Sequence, residues 1–541
     1  AGAMAAEADL QAKIDKLSQQ MEDLKGQVQR VEDKSLGKWL QIGGSYQFRM
    51  DSLHGGVKTY NDAMGTFENM ALAAADPITG FGYNGAFMMQ QVQKDMVAAT
   101  NLAAARAFLT NYGPTLGLLM PGNIERVGAY KPRNETIYTN KFALDLKAKA
   151  TKDVTVNVKL GMYKVFGSQD DSALNGQAYF SDRVGVMDGT LGHVPSNSYL
   201  NVDRAYATWS NIMDQPVWFS VGRRPATDGA PTNLKSNNER PGNGGTPALL
   251  VNYAFDGMTL GYAPDIDMLP GFYAKVCYGR GFDSGYKTSS TNSLQDTDML
   301  GVAVIPVDTD PLRVWLQWNR GFNIFDFPVM KNTAFGNTAP TVNLGAIDWF
   351  GLGAMSTLKK VGPGDLNFFV DGGLSVTHPT QNLSGQAMFQ GMLAGAPFGG
   401  PTMTPEAPTS KTGYALFTGV RYDLPSKTKL GFEYNYGSKN WVTFAPAADD
   451  MWTSKVATRG HVFEPYVIQE LDLKPISSFF AKTFFKLGYQ YYDFEYTGSG
   501  NWVGAPIKMS DVPAYTAAGG MLMQAPVSTA HDIYGTFEVH F

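Results

Sequence analysis

Residues Trp39–Asp51, with the sequence WLQIGGSYQFRMD, alternate between two kinds of side chain. Most positions of one set are large and apolar: Leu40, Ile42, Tyr46, Phe48 and Met50. The intervening positions carry polar or charged residues: Gln41, Ser45, Gln47, Arg49 and Asp51. A period of two is that of a β-strand, whose successive side chains point to opposite faces. The stretch therefore predicts a strand that is apolar on one face and in contact with water on the other.

The same alternation recurs along most of the chain. It is clearest in residues 141–149, 154–162, 429–436 and 485–491. Thr151-Lys152-Asp153 links the first two of these stretches, as a tight hairpin turn does. Short connections such as 213–216, 308–311 and 425–427 alternate along the chain with long ones such as 167–197. The pattern gives about sixteen strands, an even number that places both chain ends on the side of the short turns.

Composition excludes several other classes of protein. Only 17% of the residues are charged, against about 25% in soluble domains, while 12% are aromatic. The single cysteine, Cys277, excludes a disulfide scaffold, a cysteine-rich metal cluster and covalently attached c-type haem. The net charge is −5, with basic and acidic residues interspersed, so no basic patch predicts nucleic-acid binding. The sequence contains no run of about 18 apolar residues, so it predicts no membrane-spanning helix.

Two fold classes remain, a soluble β-rich protein and a transmembrane β-barrel. A multidomain β-sandwich would also alternate, but it would not give two connection lengths through the whole chain. The predicted fold is therefore all-β: a transmembrane antiparallel β-barrel of about sixteen strands over residues 39–541, with a coiled-coil helix over residues 1–36.

The helix is predicted from a change of period at the start of the chain. Apolar residues are spaced there alternately by four and three positions: Leu10, Ile14, Leu17, Met21, Leu24, Val28 and Val31. This heptad seam favours a coiled coil over a single helix packed on a domain. Because isolated helices of this length are marginal in water, we expect an oligomer joined through these seven residues. Leucine at the d positions favours a coiled coil of two helices.

The final strand has the most specific local mark. In residues 531–541 one face carries Ile533, Gly535, Phe537, Val539 and Phe541. The chain resembles bacterial outer-membrane porins in this aromatic ending, in the alternation along its strands and in its alternating short and long connections. It further resembles the porin-like proteins with an N-terminal coiled coil found in metal-reducing bacteria. The resemblance implies an outer-membrane location with lipid around the barrel, the N-terminal helix in the periplasm, an assembly signal at Phe541, and a homo-oligomer that is a trimer.

A barrel of sixteen strands is too wide for its own side chains to fill, so it encloses an aqueous channel unless loops plug it. We therefore predict diffusion of small hydrophilic solutes or ions. By the alternation, the charged residues that line the pore are Arg49, Lys141, Asp145, Lys147, Lys149, Lys159, Arg224, Lys275, Arg313, Asp371, Arg421, Lys429, Glu433, Lys486 and Glu538. Arg49, Lys147, Lys149 and Lys159 are candidates for one basic wall, which predicts a mild anion preference. The alternative is that they are ordinary solvated charges.

Long connections are candidates for special roles. The first, about 52–137, contains a helix-like stretch at 87–109 and is a candidate for narrowing the pore. In the porins that the chain resembles this is usually the third loop, so the loop after Arg223 and Arg224 is a rival candidate. Loops 378–412 and 498–530 are expected to pack together as an outer cap through Met388, Met392, Met403, Met509, Met521 and Met523.

Enzyme signatures are absent from the sequence. The six histidines are scattered, and there is no His-Glu-x-x-His, Gly-x-Ser-x-Gly or Walker run. We therefore predict no catalytic residue, no cofactor and no metal. The pairs Asp170-Asp171 and Asp449-Asp450, in predicted outer loops, are interpreted as solvated turns rather than calcium sites. The alternative function is a barrel sheath or envelope scaffold that docks a partner such as an extracellular cytochrome.

Overall fold

A computed structural model of the chain shows mostly β-strands. The structure describes residues 39–77, 80–167, 198–225, 229–238, 249–286, 294–333, 336–395, 405–445, 447–473 and 482–541, and the single residues 21, 195 and 240. The predicted coiled coil over residues 1–36 lies outside the described residues except for Met21, whose side chain is exposed.

Sixteen long strands form one sheet. Numbered along the chain, they are β1 (Leu40–Val57), β2 (Arg133–Lys149), β3 (Val154–Val165), β4 (Asn201–Trp209), β5 (Val217–Pro225), β6 (Ala254–Tyr262), β7 (Tyr273–Phe282), β8 (Thr297–Asp308), β9 (Leu312–Phe325), β10 (Asn343–Val361), β11 (Gly364–Pro379), β12 (Thr412–Asp423), β13 (Thr428–Gly437), β14 (Gly460–Glu470), β15 (Lys482–Phe494) and β16 (Val527–His540).

Each strand pairs antiparallel with the strands before and after it in sequence, and β1 closes the sheet against β16. The closing register runs from Ser45 opposite His540 to Val57 opposite Val527. A closed sheet leaves no edge with unpaired backbone groups. The predicted all-β fold, an antiparallel barrel of sixteen strands, is confirmed.

Connections at the two ends of the barrel differ in length. The turns 150–153, 309–311, 362–363 and 424–427 lie at the end where β1 begins and β16 finishes. Long connections, of which the first covers 58–132, lie at the other end. This first connection is shorter than expected because β1 and β2 continue beyond the alternating region. There their inward residues Leu53, Val57 and Ile137 are apolar and pack in a cluster with Trp452 and Tyr492.

Three helices occupy the first long connection: α1 (Ala63–Ala75), α2 (Tyr83–Ala98) and α3 (Leu102–Leu119). The predicted helical stretch 87–109 is divided between α2 and α3. The break lies at Asn101, whose side chain accepts a hydrogen bond from the Ala104 amide and caps α3. A short helix, α4 (Val512–Ala517), lies in the last connection. Within the described ranges, none of the helices combines the length and apolar character that crossing a bilayer requires.

These helices and the methionine-rich loops share one apolar cluster. Met70, Met89 and Phe108 of the helices pack in it with Met388 and Met392 from the connection after β11. Met521 and Met523 belong to the same cluster, whereas Met509 belongs to a second one. Met403 lies outside the described residues. The methionine loops therefore pack together as expected, and the helices of the first connection complete the cap.

Candidate functional site

The two faces of the barrel wall have opposite character. On β1, Arg49 and Asp51 are buried inside, while the intervening Met50 is 45% exposed outside. The outward residues of other strands are also large, apolar and exposed, for example Leu352 at 58% and Leu487 at 62%. On most strands the polar face therefore points into the barrel, and the interior is the candidate site.

All the charged residues that the alternation assigns to the pore are on the inward faces of their strands, but they differ in exposure. The exposed ones are Asp145, Lys147 and Lys149. Those half-buried are Lys141, Lys159, Arg224, Arg313 and Lys429. Those buried are Arg49, Lys275, Asp371, Arg421, Glu433, Lys486 and Glu538. That they line an open pore stays a prediction, because protein segments cover many of them.

The expected basic wall on the first three strands is divided. The Arg49 guanidinium contacts the carboxylates of Asp51 and Asp532, at 2.6 and 3.2 Å. Lys147 pairs with the start of β1, roughly 27 Å from Arg49 at the usual rise per residue. Arg49 therefore belongs to an ion cluster of its own, while Lys147 and Lys159 lie toward the short-turn end.

One segment that enters the barrel is residues 229–238, here called the first inward segment. It follows β5, yet it contacts β12, β13 and β14 on the opposite side of the closed sheet. The Arg421 guanidinium donates to the Leu234 carbonyl at 2.5 Å, and the Lys429 ammonium donates to Asn237 Oδ1 at 2.6 Å. Asn237 in turn donates to Glu470 at 2.9 Å. Of the two loops considered for narrowing the pore, the structure places the one after Arg224 across the interior.

Residues 438–445 and 447–459, here called the second inward segment, enter the barrel from the connection between β13 and β14. Trp452 Nε1 donates to the His531 carbonyl of β16 at 3.0 Å, and Gln490 Nε2 of β15 donates to Asp450 Oδ1 at 2.6 Å. Gln47 Nε2 of β1 donates to Asp449 Oδ2 at 3.1 Å. The interpretation of Asp449-Asp450 as a solvated outer turn is wrong, because both carboxylates are bound by side chains of the inner wall.

A buried ion cluster joins the two inward segments to the wall. The Glu464 carboxylate of β14 is within 2.5 Å of Lys235 Nζ, from the first segment, and of Lys455 Nζ, from the second. Lys455 also contacts Glu433 of β13, and Lys235 lies 3.9 Å from Asp450. Burial by itself would lower the pKa of Lys455, but Glu433, Glu464 and Asp450 outweigh it and raise that pKa. Lys455 is therefore held as a cation between carboxylates, and Lys235 lies beside two of the same carboxylates.

Glycines on the inner wall make room for apolar side chains near these segments. A Cβ atom on Gly351 would lie 2.6 Å from Leu250 Cδ1, and one on Gly373 would lie 2.8 Å from the Trp441 ring. Leu250 lies in the chain returning to β6, and Trp441 belongs to the second inward segment. The close approach of these side chains to the sheet requires glycine.

Glu464, Lys235 and Lys455 are interior residues that sequence reasoning missed. The alternation was not informative on β14, because the other inward residues near Glu464 are apolar, and both lysines lie in loops. A charge on the inward face of an otherwise apolar stretch was the available signal for Glu464, since a buried carboxylate needs a cation.

Phe541, the predicted assembly signal, lies beside β1. Its amide donates to the Gly44 carbonyl at 3.0 Å, its carbonyl accepts from the Gly44 amide at 2.8 Å, and the residue is 51% exposed. The residue thus extends the closing pair of strands by one step. Its role in assembly stays a prediction, as does that of the seven heptad residues.

Comparison with known proteins gives a family and several similar folds. The family described as "Protein of unknown function (DUF3373)" matches residues 131–541, and a search of curated proteins found no match. OprB of Pseudomonas putida is 10% identical, with 96% of this chain and 97% of that chain covered and a TM-score of 0.42. An anion-selective porin from Comamonas acidovorans is 11% identical, with 93% and 100% covered and a TM-score of 0.38. The outer-membrane protein OmpT of Vibrio cholerae is 11% identical, with 93% and 98% covered and a TM-score of 0.37.

Proposed function

The chain belongs to the family described as "Protein of unknown function (DUF3373)", and from its own geometry we propose an outer-membrane channel for small hydrophilic solutes or ions. The observation that supports this most directly is the polarity of the closed wall, apolar outside and polar inside. Sixteen strands enclose more space than their inward side chains fill. Exposed apolar residues all around the wall would be unfavourable in water and are favourable in lipid.

Aromatic residues near both ends of the wall support the membrane location. Toward the long-loop end, the outward rings of Tyr434, Phe463 and Tyr491 form a row along neighbouring strands, in which the first pair is tilted and the second is stacked. At the short-turn end, the outward Trp209 and Tyr262 are 47% and 49% exposed. Two aromatic girdles around an apolar band are typical of outer-membrane barrels. By the same rule, the short-turn end faces the periplasm.

A mild preference for anions is part of the proposal. The buried interior charges described above are largely engaged with opposite charges. The exposed charges on the inward face of β2 are two cations, Lys147 and Lys149, and one anion, Asp145. An excess of exposed cations raises the local concentration of anions. The proposal is of transport and not of catalysis, because the buried charges hold the inward segments in place.

The test is conductance of the purified protein in a planar bilayer with a tenfold KCl gradient. We expect discrete openings and a reversal potential on the anion-selective side. Absence of openings would refute the channel, and a reversal potential on the cation-selective side would refute the preference. A silent barrel that co-purifies with a stoichiometric haem protein would favour the scaffold function instead.

We further propose that residues 1–36 form a periplasmic coiled coil that joins three chains. The heptad sequence supports a coiled coil, and the start of β1 at the short-turn end supports its periplasmic side. Three chains are proposed from the resemblance to porins, against the two that leucine at d favours. The narrower resemblance to coiled-coil porin-like proteins of metal-reducing bacteria is proposed on the same combination of heptad and barrel. Native mass spectrometry in detergent tests the assembly: the wild type should be trimeric, and Ile14→Asp combined with Val28→Asp should be monomeric. A wild-type monomer, or a variant that stays trimeric, would contradict it.

A further inference from the structure

The turn at residues 447–450 of the second inward segment presents Asp449 to the inner wall. The Asp450 amide donates to the Ala447 carbonyl at 2.8 Å, and Ala448 has a φ of 51°. A positive φ is unfavourable for alanine, so the surroundings hold the turn in this conformation. The side chain of Asp449 then points at β1, β2 and β3.

Three neighbouring strands supply the groups around the Asp449 carboxylate. Gln47 Nε2 donates to Oδ2 at 3.1 Å, Tyr163 OH donates to Oδ1 at 3.3 Å, and Lys141 Nζ lies 3.7 Å from Oδ1. Gln47 lies opposite Lys141 in the register of β1 and β2, and Lys141 lies opposite Tyr163 in that of β2 and β3. An amide, an ammonium and a hydroxyl in one row offer the donors that a carboxylate accepts.

The wider surroundings of this row contain charges of both signs, since Asp51 and Asp532 contact Arg49. Burial by itself would raise the pKa of Asp449, but Lys141, Arg49 and Lys486 outweigh it and lower that pKa. Glu538 opposes them in part, because it contacts Lys486 at 2.8 Å and accepts from Gln47 at 3.3 Å. The net field favours an anion at the position of the Asp449 carboxylate.

The neighbouring Asp450 has a different task. Its Oδ2 accepts from the Lys455 amide at 2.9 Å, and its Oδ1 accepts from Gln490 at 2.6 Å. Asp450 therefore holds the segment to itself and to β15. The wall donors around Asp449, in contrast, are placed by strand pairing and do not depend on the turn.

We propose that Gln47, Lys141 and Tyr163 form a binding site for small carboxylates on the inner wall, and that Asp449 is its tethered occupant. A carboxylate solute inside the barrel competes with Asp449 and releases the tip of the second inward segment. This deepens the proposed channel function, on which the solute's arrival at the site rests. It makes carboxylates the anions that the channel recognises.

The test is equilibrium dialysis of radiolabelled acetate against the folded, detergent-solubilised protein. Asp449→Ala empties the site, so this variant should bind one acetate per chain, at least tenfold more tightly than the wild type. Adding Lys141→Gln to Asp449→Ala should weaken that binding at least tenfold, and adding Tyr163→Phe, which removes only a hydroxyl, should weaken it severalfold. Asp472→Ala, at an exposed ion pair in a short connection, is the matched control and should behave as the wild type.

Acetate binding by Asp449→Ala that is no tighter than that of the wild type, or that is insensitive to Lys141→Gln, would overturn the site. Folding of each variant is checked by the heat-dependent migration of the barrel on a denaturing gel. Should the Lys141→Gln protein not fold, the Tyr163→Phe arm decides. Bilayer conductance is measured separately: no conductance with intact acetate binding overturns the channel alone, and conductance without acetate binding overturns the site alone.

Discussion

Replacing Glu464 by glutamine removes a charge that both inward segments share while preserving the shape of the side chain. The Glu464 carboxylate is fully buried, with Lys235 and Lys455 each at 2.5 Å, and it also accepts from Tyr534 OH at 2.8 Å. Strand pairing of β14 does not use this side chain. We therefore expect the barrel to fold and the two inward segments to be held less firmly.

The size of the effect follows from the charges left behind. Breaking a buried ion pair so that a charge loses its partner costs about 3–5 kcal/mol. Lys455 keeps Glu433, and Lys235 keeps Asp450 at 3.9 Å, so we take the lower end, about 3 kcal/mol. Since each 1.4 kcal/mol is about a factor of ten, the equilibrium for releasing the segments should rise roughly 100-fold. Lys455→Met and Glu464→Gln combined should cost less than the sum of the two, because they remove the same contact.

Hydrogen–deuterium exchange with mass spectrometry measures this release. Protected amides of residues 232–238 and 447–458 should exchange roughly 100-fold faster in Glu464→Gln, while those of β8 and β9 should not change. Asp365→Asn, at an exposed short-turn ion pair, should leave both regions as in the wild type. An increase below threefold in the segments would refute the reasoning. Equal acceleration throughout the strands would show that the cluster stabilises the wall instead.

Three further predictions address other parts of the interior. Gly373→Val should lower the free energy of unfolding by about 1–3 kcal/mol in urea titrations, because the new side chain clashes with Trp441. Gly372 is the outward neighbour, with no atom closer than 3.8 Å to a new Cβ, so Gly372→Val should change this free energy little. Equal losses in the two variants would contradict the packing of Trp441 against Gly373. Lys147→Glu should move the bilayer reversal potential toward cation selectivity, whereas Lys152→Glu, in the turn 150–153, should not. Equal shifts in the two variants would show that charges at the barrel mouth, rather than on the inner wall, set the selectivity. The folded-state pKa of Asp449 is lowered, so the contribution of its carboxylate to stability is fully present above its ordinary pKa of 3.8 and shrinks below it. The difference in unfolding free energy between wild type and Asp449→Asn should therefore be constant from pH 5 to 7 and decrease below about pH 4. A difference that grows toward acid pH would contradict the lowered pKa.

Strand positions were predictable because the signal for a strand in a membrane wall is local. One apolar and one polar face give a period of two, so the alternating stretches 141–149, 154–162, 429–436 and 485–491 lie within β2, β3, β13 and β15. The alternation ends where the environment of the strand changes. Leu53 and Val57 do not fit the alternation, because beyond the wall the inward face of β1 meets the apolar cluster under the cap.

That each of these charged residues lies on the inward face of its strand was also predictable, since the alternation alone decides it. The ion-pair partner of each residue was not predictable. Arg49 contacts Asp532 from the other end of the chain, and Lys455 contacts Glu464 only because the second inward segment folds back on the wall. Residues that share a face were therefore identified, while ion pairs were not.

By itself, the sequence determined that this chain forms a closed wall of about sixteen strands with an apolar outside and a largely polar inside, because most strands carry that information in their own alternation. Only the tertiary structure decided what occupies the interior. The loop after Arg224 and the loop that carries Asp449 have no period that distinguishes an inward from an outward path. Their course depends on carboxylates and amines from distant parts of the chain, which only the tertiary structure brings together.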